Sequence, residues 1–213
     1  MKNLMLSVTA VFVLFFVSDL FAAPRAKAKK EGKTIYLGIY GSVGVSGATM
    51  GSDPQEDYEG VKLSYSTPVA RIAYVSLEDP GLMAWFDIGM LWMGYKTRGK
   101  ATGTIYTQEL EYVNMNFMVG IKKSFFYAGA GLYVAPATNA WWWSESDSVN
   151  MAGQWKMDLG LNLETGLRYV VRDFIWFIGA NFKKGIVDVH DGYVPSVKNY
   201  DILFVAGVIY GLF

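Results

Sequence analysis

The chain has 213 residues, carries 19 basic against 19 acidic side chains, is 52% hydrophobic and 16% aromatic, and contains 23 glycines, one histidine and no cysteine. The balanced charge argues against nucleic acid as a main partner, and the absence of cysteine excludes a disulfide framework, a thiolate metal site and a lipidated cysteine at a processing site. After residue 22 no unbroken apolar run is long enough for a membrane helix; the apolar residues come instead as alternation, the pattern a transmembrane barrel requires.

The N-terminus reads as an export signal over 1–22. Met1-Lys2-Asn3 is weakly positive, Leu4 to Val17 is apolar, and Leu20-Phe21-Ala22-Ala23 ends in small residues. Residues 23–33 follow as a basic arm, PRAKAKKEGK from Pro24, with no apolar face and the character of a solvated periplasmic segment. The remaining span, 34–213, is expected to be one barrel domain.

Its first strand runs from Thr34 to Val45, alternating Ile35, Leu37, Ile39, Val43 and Val45 with Tyr36, Gly38, Tyr40, Ser42 and Gly44. An acidic loop is expected over Gly47 to Gly60. The second strand, within Val61 to Leu77, changes phase: Val61, Leu63 and Tyr65 share one face, Ile72 and Tyr74 the other. Pro68 between them predicts a bulge or break, since a closed barrel has no edge strand to host a proline. Glu78-Asp79-Pro80-Gly81 is a turn by composition. Strand three, Leu82 to Tyr95, sets Ala84, Phe86, Ile88, Met90 and Trp92 against Asp87 and Gly89, and a basic, glycine-rich loop is expected over Lys96 to Gly103.

Strand four runs from Thr104 to Ile121. Its polar first half (Thr107, Glu109, Glu111) is expected to project above the membrane, and its second half pairs as a hairpin with strand five across Lys122-Lys123-Ser124. In that hairpin Val113, Met115, Phe117, Val119 and Ile121 oppose Asn114, Asn116, Met118 and Gly120, while Phe126, Ala128, Ala130, Leu132 and Val134 oppose Tyr127, Gly129, Gly131 and Tyr133. Asn139 to Gly153 is expected to be a long loop holding Trp141, Trp142 and Trp143 as an interfacial or loop aromatic cluster. Strand six, Gln154 to Tyr169, places Trp155, Met157, Leu159, Leu161, Leu163 and Leu167 on one face and Lys156, Asp158, Asn162, Glu164 and Arg168 on the other. Strand seven, Ile175 to Gly185, sets Trp176, Ile178, Ala180 and Phe182 against Gly179, Asn181 and Lys183. Strand eight runs from Tyr200 to Phe213, with Phe204, Ala206, Val208, Tyr210 and Leu212 as its bulkier, lipid-like phase.

The expected fold is therefore all-β, an eight-stranded antiparallel up-and-down transmembrane β-barrel. Long connections after strands one, three, five and seven belong on the cell surface and short turns in the periplasm. The lumen is expected to hold a polar network of Asp87, Asn114, Asn116, Lys156, Asp158, Asn162, Glu164, Arg168, Asn181 and Lys183. Opposite charges on neighbouring strands would pair there and close the barrel, because eight strands leave an interior that side chains fill.

Four runs resemble a known family. Leu110-Glu111-Tyr112-Val113-Asn114-Met115-Asn116 resembles the "YLEIP"-type strand of the PorT-like outer-membrane β-barrel family. Phe126 to Val134 (FYAGAGLYV) is similar to its following strand, Asp158 to Gly166 (DLGLNLETG) to its "DxGxxxGxG" strand, and Ala180 to Ile186 (ANFKKGI) to its "ARYxxGL" strand. The family's usual proline and arginine are replaced by Asn116 and Asn181. The resemblance spans roughly residues 34 to 213 and implies an outer-membrane barrel of a family mostly without an assigned activity, from which no catalytic residue is carried over.

No catalytic, cofactor-binding or metal-binding residue is assigned. With a single histidine and no cysteine, no metal-ligand spacing is present. His190, with Asp188, Asp191 and Ser196 near it in sequence, is the one grouping that could serve a lipid-modifying barrel enzyme. A soluble, lipocalin-like binding barrel is the other alternative, and it requires an apolar interior. The leading expectation is a monomeric, non-enzymatic protein of the outer membrane of a double-membraned bacterium. Its partners would be membrane lipid and a surface ligand engaged through the loops.

Overall fold

The structure is a computed structural model that describes residues 34–51, 56–144, 148–150, 155–190 and 196–212. The expected signal segment (1–22), the basic arm (23–33) and the terminal Phe213 lie outside the described residues. Residues Gly32–Phe213 form one compact unit. Its strands are β1 (Ile35–Met50), β2 (Glu56–Ser66), β3 (Val69–Val75), β4 (Gly81–Gly99), β5 (Ile105–Lys123), β6 (Phe126–Ala135), β7 (Ala137–Trp143), β8 (Ser148–Asn150), β9 (Asp158–Val171), β10 (Phe174–Gly185) and β11 (Val197–Gly211).

These make an antiparallel barrel of eight staves. β2 and β3 share one stave between β1 and β4, β6 and β7 share the stave after β5, and β1 pairs with β11 to close the ring. Both shared staves are divided at a proline, at Pro68 and Pro136, because proline cannot donate to the ladder. At Pro68 neighbouring hydroxyls fill the gap. Thr67 Oγ1 accepts from Met90 N at 3.3 Å, and Ser66 Oγ accepts from Ser42 N at 3.1 Å. The expected break and change of phase are thus observed: Leu63 and Tyr65 point outward before it, Ile72 and Tyr74 after it.

Several connections are shorter than expected because the strands overshoot. The predicted loop over Lys96 to Gly103 is strand in its first half, since β4 runs to Gly99 and stays paired with β5 as far as Arg98 with Ile105. Likewise β1 continues to Met50 and β2 resumes at Glu56. The tryptophan run is not loop either. Ala137 to Trp143 is β7, with Trp141 opposite Glu109 and Trp143 opposite Thr107 on β5. At the other end the turns are tight, at Ser124-Phe125 and Arg172-Asp173, and each first residue has positive φ (53° and 54°), the backbone sense that suits a two-residue hairpin.

The outer surface is apolar. Outward positions from Leu82 to Trp92, Val113 to Ile121 and Leu159 to Val171 include no charged residue, and Phe117 and Val119 are 53% and 64% exposed. Aromatic pairs edge this band. Phe174–Tyr210 (5.0 Å between centroids) lies at the tight-turn end, and Tyr65–Trp92 (5.2 Å, stacked) and Trp141–Trp143 (5.9 Å) at the other. This is the surface of a barrel that crosses a bilayer.

Inside, small residues make space for large ones. A Cβ on Gly129 would lie 2.3 Å from Trp85 Cη2, whereas one on Gly41 would meet nothing within 4 Å. Gly129→Val should therefore largely abolish refolding in detergent, and Gly41→Ala should be tolerated, as read from the fraction of heat-modifiable species on gels.

Candidate functional site

The lumen is layered. At the tight-turn end, Tyr36, Val75, Met83, Trp85, Phe177 and Ile209 belong to one apolar cluster; toward the other end, Leu91, Tyr95, Leu110, Tyr112, Trp155 and Val189 belong to a second. Between them lies a belt of polar and charged side chains. The expected polar closure is thus accompanied by two hydrophobic plugs. Their sequence signal is weak because residues such as Val205 and Ile209 face inward on β11 while equally apolar neighbours face lipid.

The belt centres on Arg71, contributed by β3 and 4% exposed. Its guanidinium forks to two carboxylates. Nε and Nη2 donate to Asp87 at 2.7 and 2.9 Å, and Nη1 and Nη2 donate to Glu164 at 2.9 Å each. Asp87 comes from β4, adjacent to β3, whereas Glu164 comes from β9 across the barrel. Each carboxylate takes further donors: Tyr40 Oη to Asp87 at 3.1 Å, and Tyr127 Oη and Asn181 Nδ2 to Glu164 at 3.0 and 3.2 Å. The guanidinium carbon also lies 4.6 Å from the ring centroids of both Tyr40 and Phe177, a cation–π arrangement strengthened by desolvation.

From this centre the network extends along the amides. Asn162 donates to Asn116 at 3.0 Å, and Lys183 Nζ donates to Asn114 at 3.0 Å. Nearer the hairpin-rich end, Asn199 bridges Asp158 Oδ2 (3.1 Å) and the Tyr112 hydroxyl (3.2 Å). Asp201 is the ladder partner of Lys183 and is buried with it. Among the described residues this buried belt holds Arg71 and Lys183 against Asp87, Asp158, Glu164 and Asp201, so amide and phenol donors share the task of solvating its negative charge.

Eight of the ten expected lumen residues are buried there: Asp87, Asn114, Asn116, Asp158, Asn162, Glu164, Asn181 and Lys183. Arg168 is half-buried at the tight-turn mouth, where its Nε donates to Ser124 O at 3.2 Å. Lys156 is exposed and is not in the belt. The expected alternation fails there because β9 begins only at Asp158: Trp155 bridges His190 and turns inward, and Lys156 and Met157 both face out. Arg71, Tyr40, Asn199 and Asp201 are members that alternation by itself did not single out. For Arg71 the signal was present, since outward Ile72 and Tyr74 imply an inward residue 71.

At the hairpin-rich end the exterior charges are paired above the apolar band, Lys62 with Glu109, Arg98 with Glu59 and Lys100 with Asp57. The Arg98 hydrogen bonds hold the Glu59 carboxyl below its usual range. Trp141 and Trp143 stand on this outer rim, while Trp142 stacks on Tyr106 at 4.3 Å. Residues able to gather around a metal, three or more of His, Cys, Asp or Glu, do not occur among the described residues.

No family model matches the chain. No curated protein matches it either. Among solved structures, Neisserial surface protein A aligns over 82% of this chain and 97% of its own, at 15% identity and a TM-score of 0.43. The attachment invasion locus protein Ail of Yersinia pestis aligns over 84% and 98%, at 12% identity and 0.40. Outer membrane protein W of E. coli aligns over 85% and 99%, at 15% identity and 0.40.

The Arg71 cluster yields a stability test. Arg71→Met leaves two buried carboxylates without their cation and should destabilise the barrel by about 3–5 kcal/mol. Replacing Arg71, Asp87 and Glu164 together by apolar residues of similar volume should restore much of that loss. Chemical unfolding in detergent, followed by tryptophan fluorescence, measures both.

Proposed function

We propose that this protein is a monomeric, non-enzymatic barrel of the outer membrane of a double-membraned bacterium, sealed through its lumen and acting through its surface hairpins. The observation that carries this reading is the inversion of polarity, an uncharged apolar exterior around a buried ionic belt. Such an exterior is favourable in lipid and unfavourable in water, where large exposed apolar surfaces aggregate. The sealed lumen follows from the two apolar clusters and the Arg71 cross-link between opposite walls. Assignment to PorT-like barrels belongs to the same proposal and rests on the runs in β5, β6, β9 and β10.

The alternatives fit less well. A lipocalin-like protein would bury apolar residues where this chain buries Asp158, Asn162 and Glu164. A lipid-modifying enzyme would use Asp188 to orient His190. Here Asp188 Oδ1 accepts instead from the backbone N–H groups of His190 (3.2 Å) and Val197 (3.0 Å), and the imidazole lies edge-on to Trp155 at 5.2 Å. That is the geometry of a loop brace.

Val119→Arg tests the membrane reading. On a bilayer-facing wall it should cost about 2–4 kcal/mol near the midplane; a cost near zero in lipid vesicles would overturn the reading. In planar bilayers the wild-type protein should give no sustained conductance steps. His190→Ala should leave the lipid composition of the membrane unchanged.

A further inference from the structure

We propose that the outer wall formed by β1, β10 and β11, just above the apolar band, binds the phosphorylated headgroup of a glycolipid in the outer leaflet. The inference rests on the reading above, in which the hairpin-rich end faces the cell surface. On β11 the inward residues Val197, Asn199 and Asp201 are buried, so Lys198 and Tyr200 point outward. The ladders place Lys198 opposite Thr49 of β1, and Tyr200 between Gly47 of β1 and Lys184 of β10.

Gly47 shapes this surface. A Cβ there would lie 2.5 Å from the Tyr200 ring and 2.6 Å from the Tyr58 hydroxyl. Because position 47 has no side chain, Tyr58 and Tyr200 can lie across it with their hydroxyls 3.0 Å apart. The Lys184 ammonium packs 5.5 Å from the Tyr200 ring centroid and donates to Thr49 Oγ1. Two ammonium groups, a threonine hydroxyl and a pair of phenols therefore share one exterior patch.

Charge distinguishes this patch from the rest of the rim. Elsewhere on the rim Lys62, Arg98 and Lys100 each pair with a carboxylate, and Lys96 lies in the field of Glu59. Among the described residues neither Lys184 nor Lys198 has a carboxylate oxygen within 4 Å. Asp201 of β11 and Asp158 of the neighbouring β9 are buried on the inner side of the wall, and the exposed Asp188 is engaged by the backbone N–H groups of His190 and Val197. Two like charges at a lipid boundary call for an anion carrying more than one negative charge. A phosphate monoester carries close to two at neutral pH, while a phospholipid diester carries one. The phenol faces suit the ring of a sugar, and directly below them exposed Ile202, Phe204 and Phe182 continue the band on which acyl chains would lie. That continuity favours a lipid over free phosphate.

The test uses the protein folded in dodecyl maltoside, with heat-modifiable mobility established first; absence of that behaviour would count against the membrane-barrel reading itself. The folded protein is then titrated with bis-phosphorylated lipid A, and binding is read by native mass spectrometry. Lys184→Gln with Lys198→Gln should weaken binding on the order of ten-fold or more, and dephosphorylated lipid A should bind the wild type as weakly. Lys96→Gln, on the opposite part of the rim, should leave binding unchanged. Equal binding by the double variant, equal binding of phosphatidylglycerol, or full competition by millimolar inorganic phosphate would each overturn the proposal.

Discussion

A guanidinium held between two carboxylates inside a closed barrel is the interaction on which the rest of this structure depends. Arg71 belongs to the wall that carries Asp87, and Glu164 belongs to the wall opposite, so the paired forks tie the barrel across its diameter. Burying three charges costs several kcal/mol each unless their hydrogen-bonding capacity is met. The tyrosine hydroxyls, the Asn181 amide and the aromatic faces beside the guanidinium meet it. Geometry of this kind tolerates little movement, and the glycines facing Trp85 and Tyr127 keep the neighbouring rings close.

The two surfaces of the wall obey opposite rules because they face different solvents. Lipid cannot solvate a charge, so the outward phase is stripped of ionic groups across the band. The lumen excludes both bulk water and lipid, so charge is admissible there only in compensated clusters. Aromatic pairs occupy the two levels where the solvent changes, and exterior ion pairs begin at the upper one. The Lys184 and Lys198 patch departs from this pairing, which is why it reads as a contact site.

Much of this was legible before any coordinate. Period-two alternation places Asp87, Asn116, Asn162, Glu164 and Asn181 on the inner face, and all are buried there. The proline at 68 and the phase change around it were also readable, because they follow from the missing N–H. Less visible were the ends of strands. Lys96 to Gly99 has loop-like composition and Trp141 to Trp143 adjoins a polar run, yet both extend the sheet because their ladder partners on β2 and β5 are in place. At Trp155 and Lys156 the chain has not yet entered β9, so the alternation rule had no strand to act on.

The sequence by itself determined the class of fold, the two faces of nearly every strand and the solvent each face requires, because side-chain alternation is a local property of extended chain. Only the tertiary structure decided which inward residues meet. Arg71 and Glu164 are 93 residues apart in sequence, and their contact depends on barrel closure and on the register of the intervening staves. The same closure decided that apolar side chains fill both ends of the lumen, and that two lysines from β10 and β11 share a wall with no carboxylate beside them.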